Sequence, residues 1–212
     1  YLAVVSYVFL GHRKHEGYVV ARRASARVLQ GIEDARRRYP PSTVDPDHKV
    51  FERMAAAPVL SGNGFEVMVN GESTFSNIFN AIEGAESYIL VQFYILRDDG
   101  IGAGLSDRLI AAAKRGVVVY MLYDSIGSAR LSRRYLHRLR DGGIRILDSN
   151  ALRGPSKRRQ INFRNHRKAV IVDGREAIIG GLNIGDEYLG QNPKVGPWRD
   201  TACRLRGPIV SQ

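Results

Sequence analysis

The chain is 212 residues long, enough for one domain with a proper core and some additional chain around it. With 32 Lys and Arg against 21 Asp and Glu, its formal charge is +11, which points to an anionic partner, either lipid headgroups or nucleic acid. Its single cysteine, Cys203, excludes an internal disulfide and suits a reducing compartment; on a strand near Leu205 it reads as a small core residue rather than a nucleophile.

Tyr1–Leu10, YLAVVSYVFL, is apolar apart from Ser6. Ten residues of helix cover about 15 Å, half of a bilayer core, so this run does not span alone. His12-Arg13-Lys14-His15 follows, a cationic flank of the kind found on the cytoplasmic side of a membrane helix. Two readings fit: the tail of a transmembrane helix in a chain that opens on Tyr rather than Met, as a piece of a longer protein would, or a buried N-terminal core element. Tyr18–Tyr39 has helix-forming composition and ends at Pro40-Pro41. Arg22, Arg23, Arg27, Arg36, Arg37 and Arg38 make it cationic, which fits an interfacial helix on anionic lipid or a solvated linker helix. Pro41–His48 reads as a polar linker.

A globular α/β pattern begins beyond it. Phe65–Val69 is expected to be a strand, Asn70-Gly71 a turn, and Ser73–Gly84 a helix with Phe75, Ile78, Phe79 and Ile82 on one face. Tyr88–Leu96 is a nearly continuous apolar strand of the kind covered on both faces. Asp99–Gly104 reads as a glycine-rich connection; its Gly100-x-Gly102-x-Gly104 lacks the Lys-Ser/Thr of a nucleotide site. Ser106–Arg115 is expected to be a helix capped by Ser106, with Gly116 past its end. The strand Val117–Tyr123, the basic amphipathic helix Leu131–Arg140 and the strand Ile144–Leu147 follow. This alternation predicts a mainly parallel sheet between helix layers. Arg153–Arg164, with Arg153, Lys157, Arg158, Arg159 and Arg164, is a cationic loop that would suit an anionic headgroup or remain simply solvated.

Asn165–Asn183, NHRKAVIVDGREAIIGGLN, carries the chemistry. His166–Val172 reads as a strand, Asp173-Gly174 as a type I′ turn needing positive φ at both positions, and Ala177–Ile179 as the return strand leading into Gly180-Gly181. A two-residue loop sets Val172 against Arg175, Lys168 against Ile179 and His166 against Gly181. With a side-chain period of two, His166 and Lys168 project together, about 7 Å apart. Asn183 joins them if the strand continues, and Gly181 leaves bare backbone for a ligand to approach. Imidazole, ammonium and carboxamide converging in this way would make a phosphate pocket, with Lys168 and Asn183 on non-bridging oxygens and His166 attacking phosphorus. Asp173 sits in the turn at the other parity and reads as a structural anchor of the hairpin. The bland alternative is an ordinary hairpin with a chance His and Lys.

His166-x-Lys168, Asp173 and Gly180-Gly181-x-Asn183 resemble the HKD signature of the phospholipase D superfamily, in which Asp173 stands at the motif's acid position. The flanks Arg164–Lys168, Gly185–Gly190 and Pro197–Thr201 resemble the first catalytic half of bacterial cardiolipin synthases. The resemblance implies an α/β fold with a mixed, largely parallel sheet between helix layers, preceded by the tail of a transmembrane helix. Its domains would be 1–11 (membrane helix end), 12–50 (basic juxtamembrane helix and linker) and 51–212 (catalytic). It implies phosphatidyl transfer without metal or cofactor, through a phosphatidyl-histidine, with phosphatidylglycerol as donor and acceptor. The expected location is the bacterial inner membrane, catalytic part in the cytoplasm. The acid that orients His166 is expected to be Asp200, just after the site, or else Asp200 is a rim residue paired with Arg199.

The mechanism needs a second histidine to protonate the leaving alcohol. His12-Arg13-Lys14 has Val19 at the acid position and no Gly-Gly after it, and neither His48 nor His137 has Lys two positions on. The second motif is therefore expected elsewhere in a longer chain or in a homodimer partner, and the 212 residues alone are expected to be nearly inactive as a synthase. A dimeric phosphodiesterase or nuclease using the same residues is the alternative. Tyr1–Leu10 and the scarcity of stacking aromatics count against a nucleic-acid partner. A non-catalytic membrane-binding remnant is the third reading.

Overall fold

A computed structural model describes residues 48–55, 58–149, 165–190 and 195–211, together with Asp34 and Arg37. The expected transmembrane tail at 1–11, nearly all of the juxtamembrane segment, and the cationic loop 153–164 lie outside the described residues. Among the described residues, no helix is long and apolar enough to cross a membrane. The chain divides into two compact units, Tyr1–Asn63 with Gly207–Gln212, and Gly64–Arg206. The first contains helix α1 (His48–Ala55), whose Val50, Phe51 and Met54 are exposed. Within that unit Asn63 Oδ1 accepts from Ile209 N at 2.8 Å.

The second unit runs β1 (Gly64–Val69), α2 (Asn70–Glu83), β2 (Tyr88–Phe93), α3 (Gly100–Lys114), β3 (Val118–Tyr123), α4 (Arg133–Asp141), β4 (Arg145–Asp148), β5 (Ala169–Val172), β6 (Glu176–Gly180), a 3-10 turn at Asp186–Leu189, and β7 (Thr201–Arg206). The strands form one sheet in the order β1-β7-β6-β5-β2-β3-β4. Only β2, β3 and β4 are parallel; the ladders β1–β7, β7–β6, β6–β5 and β5–β2 are all antiparallel. The sheet is mixed, as expected, but not largely parallel. Helical crossovers, which parallel pairs require, join only β2, β3 and β4, whereas a tight hairpin joins β5 to β6 and forces the opposite sense.

Helix and strand periodicities meet in one core. Phe75, Ile78 and Ile82 of α2, Leu105 and Leu109 of α3, and Tyr135 and Leu139 of α4 cluster with Ile89, Val91, Met121, Val170 and Ile178 from alternate strand positions. The other strand parity carries Phe65, Val67, Leu90, Tyr120, Leu147 and Ile179, all exposed. The expected second helix layer is therefore absent among the described residues.

Two local readings change. Asn70 has φ 64°, as an Asn-Gly turn requires, yet α2 begins there without a separate turn. The glycines at 100, 102 and 104 are the first turns of α3, not a loop. Asp99 Oδ1 accepts from Gly102 N at 3.0 Å, and Asp186 accepts from Gly100 N (3.1 Å) and Ile101 N (2.7 Å), so the helix's free amides are satisfied from outside. A Cβ at 102 would fall 1.9 Å from Arg97 O.

Candidate active site

The hairpin between β5 and β6 places the motif. Asp173 (φ 53°) and Gly174 (φ 64°) both take positive φ, and Arg175 N donates to Val172 O at 3.0 Å. The register nevertheless differs from the expected one by a residue: Val172 pairs with Glu176 and Ala169 with Ile179, because Arg175 belongs to the loop. Continued outward, that ladder puts Lys168 beside Gly180 rather than Ile179. The strand starts later than expected, at Ala169 rather than His166; His166 and Lys168 nevertheless both meet the Tyr94 ring, whereas the slip takes Asn183 off their parity.

Asp173 is an anchor. Its carboxylate accepts from Ser87 N (2.8 Å), Tyr88 N (2.8 Å) and Glu86 N (3.0 Å), tying the hairpin tip to the start of β2. Burial pushes its pKa up, but the three backbone amides and Arg175 outweigh this and hold the carboxyl below its usual value. Both oxygens are committed to the main chain at the start of β2.

His166 lies at the other end of β5, next to the carboxyl end of β2, the edge where open sheets of this kind present ligands. It is exposed to solvent and stacks on Tyr94, with ring centroids 3.9 Å apart and 24° between the planes. The Lys168 Nζ lies 5.8 Å from the same ring and donates to His166 O at 2.6 Å. Lys168 is half-buried and shares a narrow crevice with Thr74, Ile78, Phe93 and Gly180. Burial lowers its pKa, with Asp200 partly opposing the shift.

Asp200 lies beside Gly181, the residue after the Gly180 that lines the Lys168 crevice. A Cβ on Gly181 would fall 2.4 Å from Asp200 Oδ1, so glycine there leaves the room that the carboxylate occupies. Asp200 Oδ1 accepts from Thr201 N (2.7 Å) and Oδ2 from Trp198 Nε1 (3.4 Å). Its main chain is bracketed by Asn70, whose N donates to Asp200 O at 2.9 Å and whose Oδ1 accepts from Asp200 N at 3.3 Å.

Asn183 is buried and engaged within the protein. Its Oδ1 accepts from Ile95 N at 3.0 Å, and its Nδ2 donates to the Tyr188 hydroxyl at 3.0 Å. Tyr188 packs edge-on against Trp198, centroids 4.9 Å apart, so Asn183 connects through two aromatic rings to Asp200. The structure thus brings His166, Lys168, Gly181 and Asp200 to one end of the sheet, with Asp173 at the opposite end of the hairpin and Asn183 beneath.

Sequence reasoning missed Tyr94 and Asn70. The available signals were an aromatic at the carboxyl end of a buried strand and an Asn-Gly pair directly before a helix. Chemically the site gathers an exposed imidazole, a half-buried ammonium and a carboxylate, groups suited to nucleophilic and electrostatic catalysis at phosphorus.

A family model described as cardiolipin synthase, PLD-like domain, matches residues 78–195. Cardiolipin synthase A of Pseudomonas aeruginosa (strain LESB58) is 41% identical over 221 residues, covering 100% of this chain and 45% of that protein. The chain thus spans under half the length of the curated relatives it matches. Among solved structures, phosphatidylserine synthase of Haemophilus influenzae superposes with a TM-score of 0.55 at 16% identity, covering 69% of this chain and 34% of that one. Nuc, a phospholipase D family member from Salmonella typhimurium, gives 0.53 at 21% identity, covering 70% and 87%. Both share the fold. With the family model covering more than half of its residues and the His166/Lys168 pair seated where the fold presents ligands, the chain belongs to the PLD-like domain family of cardiolipin synthases.

Proposed function

We propose that this chain supplies one half of a phosphatidyltransferase centre that makes cardiolipin and glycerol from two phosphatidylglycerols. The observation that carries the reading is the pairing of an exposed His166 with Lys168 and Asp200 at one sheet end, in a domain of this family. A neutral His166 nitrogen attacks the phosphorus of the donor. The P–N bond forms as the P–O bond to the terminal glycerol breaks, and a histidine from a second HxK motif gives that glycerol its proton. The same second histidine then takes the proton from a hydroxyl of the acceptor phosphatidylglycerol, whose oxygen displaces His166. Lys168 turns from the His166 carbonyl to a non-bridging phosphoryl oxygen, and Asp200 balances its charge and orients the imidazole. Gly181 leaves the room in which that carboxylate sits.

Membrane attachment through the region around Tyr1–Leu10, with catalysis on the cytoplasmic side of the inner membrane, completes the proposal. Its support is the apolar run and the cationic flank that follows it. The test is incubation of the protein, with a complete pair of HxK motifs, with phosphatidylglycerol vesicles and separately with single-stranded DNA, wild type against His166→Ala. Cardiolipin and glycerol formed only by the wild type, and a lipid adduct on His166 trapped by rapid denaturation at neutral pH and read by mass spectrometry, are expected. Cleavage of DNA with no lipid product would replace the proposal by a phosphodiesterase reading.

A further inference from the structure

The Tyr94 ring supports the imidazole of His166 face to face, at 3.9 Å and 24°. We infer that Tyr94 is a positioning residue for this histidine; the inference rests on the reading of His166 as nucleophile. The lone pair that attacks phosphorus lies in the plane of the imidazole, and so does the N–H on the other nitrogen. An acid at the ring edge, as Asp200 is in the proposed mechanism, takes the N–H but leaves the ring free to tilt about that bond. A partner on the ring face consumes neither, yet it removes the rotation about the side-chain bonds that would swing the nitrogen out of line.

Tyr94 is suited to that task because it is itself held. It is buried, and its carbonyl accepts from Ser128 Oγ at 3.3 Å, while the same oxygen of Ser128 accepts from Leu96 N at 3.0 Å. The next residue, Ile95, is fixed through its amide by Asn183. One edge of the ring meets the loop at Gly127, where a Cβ would lie 2.8 Å from Cε2 and 3.0 Å from Cδ2. That loop is tied by the fully buried Asp124, whose Oδ1 accepts from Ile126 N and Gly127 N, both at 2.9 Å. The Lys168 ammonium stands 5.8 Å from the ring centroid, within the reach of a cation–π contact. One aromatic ring therefore adjoins both the attacking group and the cation that meets the phosphoryl oxygen. A residue that merely filled core volume would need no such geometry.

The test compares Tyr94→Phe, Tyr94→Leu and His166→Gln in the protein carrying both HxK motifs, with a melting curve to establish folding. Two readouts are taken: kcat and KM for phosphatidylglycerol in mixed micelles, and the NMR shifts of the His166 ring protons in histidine-labelled protein, assigned by their loss in His166→Gln. Stacking shifts those protons upfield. In Tyr94→Leu they are expected to move downfield, with kcat down about 100-fold, the cost of a small misplacement, and KM little changed. Tyr94→Phe, which keeps the ring, is expected to keep the upfield shift and most of the turnover. Wild-type kcat in Tyr94→Leu despite a lost stacking shift would overturn the role, as would equal failure of Tyr94→Phe in a folded protein. Unimpaired turnover in His166→Gln would instead overturn the nucleophile reading, and the shifts would still report whether the stack exists.

Discussion

Gly180 and Gly181 are adjacent, and replacing each with alanine should have opposite consequences. At Gly180 an added Cβ meets the Ala202 Cβ at 2.6 Å, the Ala202 Cα at 2.8 Å and the Thr201 carbonyl at 3.1 Å. These are atoms of β7 locked in the β6–β7 ladder, where Gly180 pairs with Ala202, so the strand must move as a whole. Overpacking typically costs 1–3 kcal/mol, and a collision with backbone belongs at the upper end, about 3 kcal/mol. At Gly181 the three atoms nearest the same Cβ all belong to the Asp200 carboxylate, at 2.4, 2.8 and 2.9 Å. A half-exposed carboxylate can rotate away, losing its 2.7 Å bond from Thr201 N, for about 1 kcal/mol once solvent replaces the partner. The group displaced, however, is the acid beside Lys168. Turnover of phosphatidylglycerol should fall about 100-fold, equivalent to about 2.7 kcal/mol of transition-state stabilisation. Urea unfolding at constant m separates the stabilities, and kcat/KM in the protein with both HxK motifs separates the activities. If Gly181→Ala unfolds as readily as Gly180→Ala yet retains wild-type turnover, the placement of Asp200 over Gly181 is wrong.

Three further outcomes are expected. Asp173→Asn removes charge-assisted bonds to three amides and should cost about 2 kcal/mol at neutral pH, less than buried bonds of that kind would give because the group is partly exposed. Its folded pKa is lowered, so the contribution is full above the unfolded carboxylate value, near 3.9, and disappears as pH falls through the folded value; urea midpoints from pH 7 to 3 should drop more steeply in the wild type. Lys168→Met should lose about 100- to 1000-fold in turnover, as for removal of an oxyanion donor, without loss of stability. Because burial lowers the Lys168 pKa, the unfolded chain holds that proton more tightly, and wild-type stability should rise with pH just below 10.5, a rise absent in the variant. Asn183→Leu leaves the Ile95 amide without its partner and should cost about 2 kcal/mol by thermal or urea unfolding.

How far the sequence spoke can be judged residue by residue. Asp173-Gly174 announced its turn correctly because a dipeptide that tolerates positive φ at both positions is a local property. The register across it was not local: whether Arg175 belongs to the loop or the ladder depends on how β6 meets β7, and the slip moved Asn183 from an assumed phosphate contact to a buried tie. The glycines that open α3 read as a connection because, beside the local cap from Asp99, the first two amides are held by Asp186, 86 residues from Gly100. Tyr94 looked like any aromatic ending a core strand, since the space that lets it meet its neighbours is created at Gly127, beyond the next two elements of the pattern. The His-Lys pairing was legible because residues two apart on extended chain tend to project the same way, even though the regular strand begins only at Ala169.

The mixed sheet also sets a timetable. β2, β3 and β4 come from consecutive stretches of chain and can assemble as they are synthesised, whereas among the described residues β1 has β7 as its one neighbour in the sheet, and Gly64 waits for Arg206. Closing a span of that length costs about 4 kcal/mol of chain entropy by itself, to be recovered only when the outer ladders zip. A nascent polypeptide halted before β7 therefore holds an imidazole and an amine with no Asp200 beside them, and leaves β1 an open edge on which chaperones or aggregation would act first.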